Sequence, residues 1–170
     1  MALLREDALY SLARLEETAL SIWLRESGTA FFSSLTLHSL AMAFVVGINL
    51  LIALRLLGGA PGIPPKKIFR FYTPHWYAVG VIFLSGIALL IAYPAKALTN
   101  PVFYIKLVAL TLGLIIAYVL PRSLNKSTQP LNGKLMKLIA SCSILLWIVT
   151  ITAGRFLAYT HDVLLASRFY

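Results

Sequence analysis

The sequence predicts an all-α integral membrane protein, a four-helix bundle preceded by an N-terminal amphipathic interfacial helix. Three observations carry this. The 170-residue chain is 59% hydrophobic and 12% charged, about half the charged share of an ordinary soluble domain, so lipid rather than water is its main solvent. Four continuous apolar stretches occur, Ala30–Leu54, Trp76–Tyr93, Val102–Leu120 and Leu138–Tyr159. Allowing for tilt, each is long enough as a helix to cross a hydrocarbon core of about 30 Å. The basic residues also sort by loop, as multi-pass topology requires. The runs are continuous rather than alternating, which excludes a transmembrane β-barrel.

Residues 1–28 read as the interfacial segment and 29–170 as the bundle, with spans at approximately 30–55, 75–93, 101–120 and 136–159. Within "ALYSLARLEETALSIWLRE" (8–26), Ala8, Leu12, Leu15, Ala19 and Ile22 recur at spacings of four and three. Arg14, Thr18, Ser21 and Arg25 do the same on the opposite face. Such a helix lies in the interface rather than spanning it, with Trp23 at headgroup level. Its net charge is not positive, so anionic lipid does not hold it. It rests on the bundle, on a partner through Trp23 and Leu15, or on the membrane alone. "GGAPGIPPKK" (58–67) breaks the first helix from the second. "YPAKALTNP" (93–101) is a short connection, and Pro101 suits a first helical turn. "PRSLNKSTQPLNGK" (121–134) is a polar loop. Short loops make neighbouring helices antiparallel.

The loops at the far end from the N-terminus carry Arg55, Lys66, Lys67, Arg70, Arg122, Lys126, Lys134 and Lys137, and no acid. The N-terminal end carries Arg5, Arg14, Arg25, Lys96, Arg155 and Arg168 against all six acids of the chain. The positive-inside rule puts the first set in the cytoplasm. The expected location is a bacterial inner membrane, with both termini outward in the periplasm. The net charge of +9 is a topology signal, and no soluble basic face exists for nucleic acid. The single cysteine, Cys142, allows no intrachain disulfide, and no C-x-x-C occurs. No secretory signal is visible, and there is no Ser-His-Asp order, no phosphate-binding glycine loop and no carboxylate pair in a span.

The polar residues within the spans set the functional question. Lys106 lies about a turn inside "TNPVFYIKLVALTLGLIIAYVL" (99–120), where an ammonium costs several kcal/mol in hydrocarbon. His38 lies roughly 7–8 Å from the midplane on the outer side, Lys106 at a similar depth, and Arg155 roughly 12 Å out. Helical spacing puts Ser34, His38, Met42, Val45 and Asn49 on one stripe. Lys106 shares a face with Ala109, Gly113 and Ala117, a small-residue groove that another helix or a flat ligand can approach. Ile151, Arg155 and Tyr159 share a stripe on the last helix. His75 begins the second helix at the cytoplasmic end, roughly 20 Å from His38 along the normal, which excludes a bis-histidine haem and a di-haem cytochrome-b bundle. His161 sits at or beyond the outer end of the last helix. Bland readings compete with a site. Lys106 and Arg155 would snorkel to headgroups, His38 would bond a backbone carbonyl, and the outer aromatics would form an interface belt. No acid lies near these three bases, however, so a haem propionate, a quinone oxygen, a lipid phosphate or a partner's carboxylate would meet them.

The stretch "WLRESGTAFFSSLTLHSLAMAFVVGINLLIALRLLGG", with "NPVFYIKLVAL" and "WIVTITAGRFLAYT", resembles an uncharacterised family of small bacterial four-helix membrane proteins over most of the chain. More remotely, the order of a helix-one histidine, a following arginine and a helix-three lysine is similar to two groups. These are the HemJ-type protoporphyrinogen oxidases, which bind haem b, and the copper resistance protein D family. The HemJ likeness implies haem b with His38 as axial ligand to the iron and Lys106 near or at the other face. The loops and the spacing from His38 to Arg55 differ from that group. Three methionines and one cysteine make a poor soft-ligand path for copper.

Three functions follow as expectations. The first is a subunit of a redox or electron-transfer complex holding haem b or quinone at His38, Lys106, Arg155, Met42, Gly113 and Tyr159. The second is a HemJ-like membrane oxidoreductase. The third is a structural accessory subunit with no cofactor. Expected partners are the lipid bilayer and other membrane subunits or further copies of the chain, with no nucleic acid.

Overall fold

The computed structural model describes residues 2–59, 61–62, 64, 67–68, 70–126, 133–160 and 163–168. No strand occurs among them. Seven helices follow in order: α1 (Ala2–Glu16), α2 (Ala19–Glu26), α3 (Gly28–Leu56), α4 (Tyr72–Ala92), α5 (Pro94–Leu98), α6 (Pro101–Lys126) and α7 (Gly133–Tyr159). A 3₁₀ turn at Ala166–Arg168 ends the described chain. Helices α3, α4, α6 and α7 are long and apolar enough to cross a membrane. The chain is a multi-pass membrane protein whose apolar helices face the lipid bilayer.

Local chemistry sets the helix ends. The Ser27 hydroxyl accepts the Ala30 N–H at 3.3 Å and starts α3. The exit "LRLLGG" stops it: Gly58 sits at φ +98°, Gly59 N–H donates to Leu54 O at 2.9 Å and Gly58 N–H to Arg55 O at 3.2 Å. This is the paired 6→1 and 5→2 closure that favours glycine after the cap. Asn100 Oδ1 accepts the Val102 N–H at 2.9 Å ahead of α6. That helix runs on through Pro121 to Lys126. Arg122 there donates to Tyr118 O at 2.8 Å and lies 3.4 Å from the centre of the Tyr118 ring.

In the bundle, α3 packs closely on α4 and α7, and α6 packs closely on α7. The groove Ala109–Gly113–Ala117 on α6 receives α7. A Cβ at Gly113 would lie 3.2 Å from the Trp147 indole, which is fully buried. Val45, Val46, Val79, Ile82, Leu110 and Trp147 form the central core. Ile48, Ile52, Ile68 and Leu120 form a second core toward the loop end.

The N-terminal segment departs from the single amphipathic helix that its spacing predicts. It breaks at Glu17–Thr18, where the Thr18 hydroxyl caps α2 by accepting the Ser21 N–H at 3.3 Å. Ser21, Leu24, Ala13 and Glu16 are buried, while Leu15, Leu20, Ile22 and Trp23 are exposed. Polar side chains turn inward because the end of the bundle presents unpaired backbone groups. Ser21 Oγ donates to Ile91 O at 2.8 Å. Glu16, 1% exposed, accepts the Ala95 N–H at 3.3 Å and the Ser167 N–H at 3.0 Å. Ala13, Ala95 and Ala166 close the small core between them. Lys96 Nζ donates to Ala158 O at 2.9 Å, and partial burial holds its pKa below the usual lysine value. The result is a cap over the N-terminal end of the bundle.

Candidate functional site

Three spans meet at His38. On α4, Ser85 donates its hydroxyl hydrogen to the backbone carbonyls of Val81 and Ile82. Its oxygen is therefore left as an acceptor, 3.0 Å from His38 Nδ1, with Ile82 O at 3.2 Å. Both neighbours of Nδ1 accept, so the network assigns the hydrogen to Nδ1 and the lone pair to Nε2. Lys106 of α6 reaches that lone pair, with Nζ 3.5 Å from His38 Nε2. Two glycines lie beside the pair. A Cβ at Gly86 would lie 3.4 Å from His38 Cε1, and one at Gly154 would lie 3.6 Å from Lys106 Cε. His38 and Lys106 are both half-buried. No acid occurs anywhere from residue 27 to residue 161. Pairing with a histidine nitrogen leaves the lysine without a counterion in the bundle.

The structure brings together His38 and Lys106 of the expected set, with Met42 one turn along α3 and packed against the central core. Gly113 is not beside the pair, and Trp147 takes the space next to it. Arg155 and Tyr159 are exposed on α7. Gly154 is the α7 residue that faces Lys106, and one residue of rotation, about 100°, turns Arg155 away. His161 lies outside the described residues. Ser85, Gly86 and Gly154 were not legible as site residues, although "FLSGIALL" (83–90) does place a hydroxyl beside a glycine in mid-span.

A second polar pair lies nearer the loop end. Asn49 Nδ2 donates to Val45 O at 2.8 Å and to His75 Nε2 at 2.8 Å. His75 is fully buried and Asn49 4% exposed. Tyr72 lies over the imidazole at 5.3 Å between ring centres, and Trp76 meets it edge-on at 5.2 Å. The sequence pattern put Asn49 on the His38 stripe and set His75 apart. Burial pairs the two instead, since each supplies what the other would lack.

Residues 22–160 match a family of unknown function, DUF6644. The chain belongs to the DUF6644 family. No curated protein and no solved structure matches it. Nothing in these comparisons bears on the likeness to HemJ-type oxidases or copper resistance protein D. For this DUF6644 member the matched region contains His38, Ser85, Lys106 and Gly154, whereas α1 and Glu16 lie before it.

Proposed function

We propose that this DUF6644 member is a small subunit of a bacterial inner-membrane redox or electron-transfer complex, with both termini periplasmic, and that its His38–Lys106 pair binds a quinone headgroup. The observation that carries the reading is the Lys106 amine held 3.5 Å from the His38 Nε2 lone pair in a bundle with no acid. A ketone oxygen accepts an N–H from the lysine. Nε2, kept as an acceptor by the bonds at Nδ1, takes a hydroxyl hydrogen from the reduced form. A quinone is apolar and flat, and it reaches such a site through the bilayer. Its oxygen would supply the partner that lysine lacks.

Haem b is the second reading, and one observation favours it. An imidazole whose Nδ1–H is held by a carbonyl presents Nε2 in the manner of an axial histidine. The residues fit haem through His38 alone, because Lys106 touches the same nitrogen edge and leaves no gap for a macrocycle between them. A haem would supply one-electron chemistry in either a redox subunit or a HemJ-like oxidoreductase.

The test is purification of the parent, His38→Ala and Lys106→Met forms from native membranes. Each is then extracted with organic solvent for quinone and its visible spectrum is recorded. The proposal expects quinone with the parent and at least a tenfold loss in Lys106→Met. A Soret band that disappears in His38→Ala and survives in Lys106→Met would replace quinone with haem. Neither chromophore in a folded parent would leave the accessory-subunit reading.

A further inference from the structure

We propose that the turn entering α4 is a binding site for an anionic phospholipid, with Lys67 and Arg70 holding the headgroup phosphate and Phe71 and Pro74 lying against the acyl chains. The four residues line an open cleft of about 470 Å³ at the mouth of the span. This cleft is on the opposite end of the bundle from the N-terminal cap, and it does not depend on the reading given to His38 and Lys106.

Backbone hydrogen bonds join the described residues of the turn. Lys67 N–H donates to Pro64 O at 3.0 Å, Phe71 N–H to Ile68 O at 3.0 Å, and His75 N–H to Phe71 O at 2.9 Å, so the turn leads directly into α4. Ile68, 3% exposed, pins it by packing into the core of Ile48, Ile52 and Leu120. With Ile68 held inward, its near neighbours Lys67 and Arg70 are exposed. Phe71 is 51% exposed.

The charges select the ligand. No carboxylate occurs between residues 27 and 161. Those before that range belong to α1 and α2, at the cap end of the bundle. Two cations side by side, with an apolar wall below them, match a phosphodiester whose chains continue into the hydrocarbon. Basic groups at the edge of a span are drawn to anionic lipid in this way. Exposed Trp76 and Tyr77 lie one turn further into α4, at the depth where aromatic rings anchor an interface.

The experiment is native mass spectrometry of the intact protein from detergent supplemented with equal phosphatidylglycerol and phosphatidylcholine, with the Lys67→Gln/Arg70→Gln double variant alongside. The expected result is retained phosphatidylglycerol on the parent and a fall of about fivefold for each cation removed. Lys134→Gln/Lys137→Gln removes the same charge at the same end and is expected to retain the lipid. Equal loss in both double variants would overturn the site in favour of a general surface potential. Displacement of the lipid by millimolar inorganic phosphate would also overturn it, since a simple anion site needs no acyl wall.

Discussion

Removing the Glu16 carboxylate should release the N-terminal cap while leaving the spans intact. The side chain is 1% exposed and accepts two backbone N–H groups, from Ala95 at 3.3 Å and from Ser167 at 3.0 Å. It therefore ties α1 to the α4–α6 connection and to the final 3₁₀ turn. A hydrogen bond to a charged acceptor contributes about 1.5–3 kcal/mol, and a buried donor left alone costs about 1–3 kcal/mol. The Ala95 bond is long and belongs at the weak end of that range. Taking a carboxylate out of a buried site also recovers part of its desolvation cost. The net for Glu16→Ala is about 2–3 kcal/mol, or roughly 30- to 150-fold in the opening equilibrium.

The assay is amide exchange on the intact protein in nanodiscs, resolved by peptide. Protection within α1 and around Ser167 should fall by that factor. The interiors of α3, α4, α6 and α7 should not change, because their backbone bonds do not pass through Glu16. Glu16→Gln should lose nearly as much, since an amide that accepts from one N–H turns its own NH₂ toward the other. Unchanged exchange in α1 for both variants would refute the latch and leave α1 held by the alanine core alone.

Gly113→Ala should destabilise the bundle by about 1 kcal/mol, the new methyl meeting a fully buried Trp147 at 3.2 Å, with overpacking offset in part by better helix propensity. Denaturant unfolding in detergent measures it, and a more stable variant would mean that α6 and α7 are not tightly packed there. Asn49→Leu should cost about 1–3 kcal/mol by orphaning His75 Nε2, and adding His75→Phe should recover most of that loss in the same assay. Reporter fusions at Gly62 and at the C-terminus should give opposite signals, with the C-terminal one outside the cytoplasm; a cytoplasmic C-terminus would reverse the proposed orientation.

The membrane-spanning fold was legible because length and apolarity are properties of a run of residues, and lipid accepts every rotation of such a run. Which way each helix turns was not. Gly154 and Arg155 differ by one position, and only packing decides which of them faces Lys106. The N-terminal helix shows the same limit. Its spacing gave two faces but not which face is inward. In water the apolar stripe would turn to the core. At the end of a membrane bundle, the carbonyls of Ile91 and Ala92 and the N–H of Ala95 draw Ser21, Arg25 and Glu16 inward instead, and Leu20, Ile22 and Trp23 go outward. The pairing of His75 with Asn49 depended on depth and rotation together, which one sequence does not fix. His38 with Lys106 was legible because both lie on the half of the bundle toward the N-terminal cap and each is costly to leave alone.

Polar groups within these spans are satisfied mostly by backbone. Ser85, Thr111 and Thr150 each donate to a carbonyl of the preceding turn of their own helix, Asn49 uses one such carbonyl as well, and His38 meets the Ile82 carbonyl of the neighbouring α4. Hydroxyls and amides can be buried in this way at little cost, because a carbonyl has a second lone pair to offer. An ammonium cannot be settled so simply. Its charge as well as its N–H groups must be met, and a neutral imidazole at 3.5 Å meets only one of the latter. Snorkelling would require Lys106 to extend toward the headgroups, but its amine is directed across the bundle to α3, beside a glycine of α7. That direction is the physical reason for proposing a guest at this lysine rather than an anchoring role at the surface.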